Sequence, residues 1–189
     1  MKNFLKNLFR PAENTQETVP TIASKDSRIT VVDCVDESDG KKKNRFYFSV
    51  LPAEMMFKHG LIPEAIVGEI KEKPLKGAPI DRTKFFANTV FKNFLHSVIA
   101  TCATHPEVIA EAQRIGKGMV TVIDKRVPDL NGAIAPDDIL GGFIVENGMV
   151  AGYSQNPNHV LLNQFGFFKL DAMIQAKLNE ALNQILEKR

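Results

Sequence analysis

The sequence predicts an α+β fold with a mostly antiparallel sheet, and three observations carry that reading. Segments of period-two, β-branched character are grouped along the chain and do not alternate strictly with helical segments. Asn147-Gly148 stands between two apolar runs, Gly142–Glu146 and Met149–Tyr153, and this dipeptide specifies a two-residue type I′ hairpin because both central positions need positive φ. The last 20 residues carry Leu170, Met173, Ile174, Leu178, Ala181, Leu182, Ile185 and Leu186 on one helical face, opposite Gln175, Lys177, Glu180, Asn183 and Lys188. The expected sheet therefore packs against a C-terminal amphipathic helix and against a long, Phe-rich helix in the middle of the chain.

Taken in order, the first ten residues, Met-Lys-Asn-Phe-Leu-Lys-Asn-Leu-Phe-Arg, place Phe4, Leu5, Leu8 and Phe9 at helical spacing with Lys2, Lys6 and Arg10 beside them and no acid. This is a basic amphipathic arm, with the composition of an interfacial anchor on an anionic membrane or of a docking helix for a protein groove. It lacks the unbroken apolar core and small-residue cleavage site of a secretory signal, so a cytoplasmic location, peripheral to a membrane where the arm engages one, is expected. Residues 11–27 are polar and unperiodic with two prolines, the composition of a linker, and leave 28–189 as a single globular domain.

That domain opens on two strands, around Ile29–Val35 and Phe46–Leu51, joined by a charged loop. Pro52 and Pro63 each occupy a first helical position and predict short helices over 53–59 and 64–70, separated by Gly60. Asp81 is placed to cap the longest periodic segment, 82–103, whose apolar arc includes Phe85, Phe86, Phe91 and Phe94. Thr104-His-Pro-Glu107 has capping-box spacing and predicts a helix ending at Gly116. A strand over 119–124, the hairpin, a short third strand over 160–162 and the terminal helix complete the order.

Composition narrows the function. The chain has 189 residues, 24 basic against 22 acidic side chains, 13 Phe, two Tyr and no Trp. The net charge of +2 is smaller than the +3 of the arm alone, so the domain offers no charge-based case for nucleic acid. Cys34 and Cys102 have no metal-ligand or redox spacing and read as free thiols. Arg114-Ile-Gly-Lys-Gly118 follows a helix and precedes a strand, the reverse of a phosphate loop. His96, Cys102 and His105 do not share a helical face, so neither a metal nor a cofactor is expected.

The candidate chemistry lies in the second half, where Asp124, Arg126, Asn158 and His159 fall at strand ends and turns. Asp124 and Arg126 flank the exit of a strand, and if the hairpin lies beside the 119–124 strand, Asp124 can orient His159 as a general base with Asn158 as a donor. No nucleophile motif accompanies them. The leading expectation is thus a non-catalytic interaction or accessory protein that joins a protein partner, or a membrane surface, through the arm and the domain surface. A small hydrolase using Asp124 and His159, or a small-molecule-sensing domain, is the alternative.

Overall fold

A computed structural model describes residues 28–36, 43–74, 79–126 and 134–189, and the fold is α+β with three antiparallel sheets. The arm and the segment 11–27 lie outside the described residues. No helix among the described residues is long and apolar enough to cross a membrane. Two compact units divide the chain, one up to Phe91 and one from Lys92.

In the first unit, β1 (Thr30–Asp36), β2 (Lys43–Ser49), β3 (Ile66–Ile70) and β4 (Phe86–Ala87) form one sheet in that order. The register puts Val31 opposite Phe48, and Phe46 opposite both Asp33 and Ile70, so this face is apolar apart from Asp33. Val31, Phe46, Phe48 and Ile70 are buried there. Between β2 and β3 runs α1 (Ala53–His59), opened by Pro52 and closed by Gly60 at φ 78°, as its sequence predicts.

Two predictions for this unit are corrected. Residues 64–70 are not a helix: Pro63–Ala65 make a single 3-10 turn, and Ile66-Val-Gly-Glu-Ile70 is a central strand, buried nearly throughout. Proline at a first helical position is compatible with one turn, and the β-branched run after it has a sheet to enter on both edges. The long helix also starts later than expected. Asp81 caps only the 3-10 turn Arg82–Lys84, accepting from the Thr83 N–H at 3.0 Å. Phe86 and Ala87 then pair with Glu69 and Gly68. Gly68 has no Cβ because the Phe85 ring occupies its place, within 2.8 Å of where one would lie. Asn88 is the cap, its side-chain oxygen accepting from Val90 N–H at 2.9 Å, and α2 runs Thr89–Thr101. It carries two of the four phenylalanines assigned to it.

The second unit contains the remainder of α2, α3 (Pro106–Ile115), a sheet of β5 (Gly118–Ile123), β6 (Ile139–Glu146) and β7 (Met149–Gln155), a separate pair β8 (Leu162–Asn163) and β9 (Gly166–Phe167), and α4 (Ala172–Glu187). The cap of α3 is His105, one residue later than the box predicts, its ring accepting from Glu107 N–H at 3.4 Å. Asn147 and Gly148 adopt φ 52° and 73°, the expected type I′ turn. The strand expected over 160–162 is corrected: β8 pairs with β9 alone, since the Asn156–His159 turn leads the chain off the hairpin sheet. The inner sheet face carries Phe143 and Val145, and the outer face exposes Met119 and Ile144, with Met119 lying across Gly142. In α4 the buried positions are Ile174, Leu178, Leu182 and Leu186, and Asp171 caps it through Ile174 N–H at 2.8 Å.

Candidate functional site

The functional candidates of the second half converge where β5 ends. Ile123 is the last residue of that strand, and Asp124 follows with its backbone N–H on the Asp138 carbonyl at 2.8 Å. Its side chain therefore turns inward, and four donors meet it. Oδ1 accepts from the backbone N–H groups of Arg126 at 3.1 Å and Lys169 at 2.8 Å, while Oδ2 faces His159 Nε2 at 3.0 Å and Arg126 Nη2 at 2.9 Å. A carboxylate with both oxygens doubly engaged is held by charge-assisted bonds in one orientation.

Arg126 extends the cluster. Its Nη1 donates to the Gly166 carbonyl at 3.1 Å, Nη2 to the Val160 carbonyl, and Nε lies 3.2 Å from Asp138 Oδ1. Asp138, at the end of the 3-10 turn Pro136–Asp138, also accepts from Asn163 Nδ2 at 3.1 Å. One guanidinium thus ties the exit of β5, the entry of β6 and the β8–β9 pair together. Nearly the whole Arg126 side chain is buried, as are those of Asp124 and His159.

His159 is delivered by the Asn156-Pro-Asn-His turn. Asn156 fixes that turn by donating from Nδ2 to the Pro136 and Ile139 carbonyls at 2.6 and 2.7 Å and by accepting from Asn158 N–H at 3.1 Å. The structure thus brings Asp124 and His159 within hydrogen-bond reach, and Arg126 joins them. Asn158 is different: it stays exposed at the turn, with its backbone engaged by Asn156, and is not a donor to the cluster. An Asx turn uses the first asparagine's side chain and leaves the second pointing away. The docking residues of the arm, Lys2, Phe4, Leu5, Lys6, Leu8, Phe9 and Arg10, lie outside the described residues.

Sequence reasoning weighed His96 only as a metal ligand and missed its place beside the cluster. It lies on α2 between Leu95 and Val98, within the apolar arc, and its ring packs 6.0 Å from that of Tyr153 and 6.4 Å from that of His159. A polar residue on the buried side of a helical pattern was the available signal. His96 Nδ1 lies 2.9 Å from the Tyr153 hydroxyl. Burial, then His159 and Lys92, hold the His96 imidazole down to about 4. Burial raises the Tyr153 phenol above its ordinary range, which keeps it a neutral hydroxyl.

The arrangement has the orienting half of a general-base site, a carboxylate directing an imidazole. It does not have the access. With no surface on either side chain, substrate cannot reach the His159 ring in this conformation. The thiols do not supply a nucleophile either: burial and neighbouring Asp33 push Cys34 up to about 11, and burial raises Cys102, so both remain thiols near neutrality. Among the described residues no group of three or more His, Cys, Asp or Glu could hold a metal ion. An open groove of about 170 Å³ lies elsewhere, in the first unit, bordered by Ile70, Glu72, Pro79 and Lys84, and is below the ~300 Å³ usual for a small-molecule site. No protein-family model matches the chain, and no curated protein or solved structure matches it.

Proposed function

We propose that this protein is a non-catalytic docking module whose basic N-terminal arm attaches it to an anionic membrane surface. The observation that carries the reading is the arm's pattern: three cations, no acid and four large apolar residues at helical spacing within ten positions. Such a segment recognises a surface that is anionic, apolar beneath and without stereochemical detail, which describes a lipid headgroup layer better than a protein groove. Each cation near an anionic leaflet contributes about 1 kcal/mol, and the Phe and Leu side chains add apolar insertion. The polar cluster at Asp124 supports the same reading by its closure, because every oxygen of that carboxylate already serves the fold.

The test is sedimentation of the full chain with phosphatidylcholine vesicles, with and without phosphatidylserine. The chain is expected to sediment only with the anionic vesicles, less so as salt rises. Full-length variants carrying Lys6→Glu or Leu8→Glu are expected to stay in the supernatant with an unchanged thermal midpoint. Failure of the parent chain to sediment overturns the reading, as does sedimentation unaffected by either substitution. Arm-dependent association with a protein but not with anionic vesicles would assign the arm to a protein groove instead.

A further inference from the structure

The second unit buries two imidazoles against each other with little to neutralise one of them. His96 from α2 is 4% exposed and His159 from the turn after β7 is 2% exposed, with the ring planes near perpendicular. One nitrogen of each ring is held, His96 Nδ1 by the Tyr153 hydroxyl and His159 Nε2 by Asp124. The other nitrogens, His96 Nε2 and His159 Nδ1, are buried without a hydrogen-bond partner among the described residues.

The surroundings of the two rings differ in charge. His159 meets the Asp124 carboxylate, which is itself held by Arg126, with Asp138 behind. His96 meets the neutral Tyr153 hydroxyl from β7, the His159 ring from the turn, and Lys92 one helical turn earlier on α2. The Lys92 ammonium is fixed close by, donating to the His159 carbonyl at 2.8 Å and to that of Pro157 at 3.3 Å. Among the described residues, a proton on His96 therefore meets a cation and a second imidazole, and no carboxylate pairs with it. A charge buried without a counter-charge is among the costliest arrangements in a protein.

We infer that His96 is an acid-operated latch of the second unit, whose protonation drives its ring out from between α2, β7 and the 156–161 turn and opens that side of the unit. The direction follows from linkage. An exposed or unfolded histidine takes its proton near 6.5, whereas the closed unit resists protonation down to about 4. Between those values the open form binds a proton that the closed form refuses. The closed form is at full strength above about 6.5 and loses ground as pH falls toward about 4. Tyr153, neutral throughout this range, does not contribute to the transition.

The experiment is a proton titration of the histidine ring resonances of the full chain, with amide hydrogen exchange measured over the same pH steps. His96 is expected to titrate below the ordinary histidine range. Exchange in 92–101 and 153–161 is expected to accelerate as the pH falls, after correction for intrinsic rates, while exchange in β1–β3 does not follow. His96→Gln keeps a hydrogen-bonding side chain toward Tyr153 without the titration, and its exchange should lose the acid-dependent rise. Should that variant fail to fold, the parent's ring titration and exchange decide alone, and Tyr153→Phe, which leaves the ring in place, should retain the rise. Titration of His96 at its ordinary value overturns the latch, as does flat exchange across the window. An unchanged acid response in His96→Gln also overturns it.

Discussion

Two ion pairs of nearly equal geometry occupy opposite extremes of environment. Lys84 Nζ and Glu72 Oε2 are 2.5 Å apart with side chains 49% and 69% exposed, while Arg126 Nη2 and Asp124 Oδ2 are 2.9 Å apart with side chains 2% and 0% exposed. In the first, water screens the attraction and takes over both partners if the pair opens. In the second, each charge has already surrendered its hydration, so the cluster's value lies in not leaving one member alone. Distance ranks the exposed pair higher, and burial reverses the order. The lesson extends to function: the buried pair has the orientation of catalytic machinery and the energetics of a fold-defining knot.

The most severe way to break this comparison is Asp124→Asn, which preserves shape and removes the charge. Its amide nitrogen would face either Arg126 Nη2 or the backbone N–H groups of Arg126 and Lys169, donor against donor, and among the described residues Arg126 would retain only Asp138 as an anion. The expected loss is about 3–5 kcal/mol, measured as a shift in urea midpoint at neutral pH. A loss under about 1 kcal/mol would place the buried pair with the surface ones.

Between the extremes lies Arg45–Glu69, which crosses diagonally from β2 to β3 with side chains 30% and 22% exposed. Partial burial strengthens the attraction, yet both groups still reach water. Arg45→Met, retaining the apolar stem that lies on the sheet, should cost about 0.5–1 kcal/mol in the same measurement. A cost equal to that of Asp124→Asn would mean that sheet geometry outweighs exposure, and the graded scale would fail.

The parts legible in the sequence were those fixed by short-range chemistry. Asn147-Gly148 needs no tertiary context to choose its turn, and the face of α4 repeats often enough to be read without a partner. Asp124 and His159, 35 residues apart, were also foreseeable, because a hairpin returning beside β5 brings the two strand ends together. What escaped was decided by the neighbours. Ile66–Ile70 reads equally as the continuation of a Pro63 helix until β2 and β4 are present to flank it. Phe85 and Phe86 match the period of α2, but the absent Cβ of Gly68 makes room for one ring, and pairing with Glu69 takes the other residue into β4. His96 was hidden by its type: on an apolar arc it reads as a tolerated exception, and only the arrival of Tyr153 from β7 and of His159 from the turn after it gives it a role.

The smallest effect is expected at the exposed pair itself, and it is the sharper test because geometry argues the other way. Glu72 raises the Lys84 ammonium's proton affinity through a hydrogen bond and its charge, with Asp81 adding a little, so an interaction is present. Both side chains nevertheless remain largely in water, and ordering two long chains opposes what the short contact contributes. Lys84→Ala should leave the urea midpoint unchanged within error, at low salt as at high. Any dependence on this pair should vanish as ionic strength rises, since screening acts on exposed charges first. A midpoint shift as large as that of Arg45→Met, persisting in high salt, would show that the Glu72–Lys84 contact fastens the chain between β3 and β4, and the ordering by burial would no longer hold.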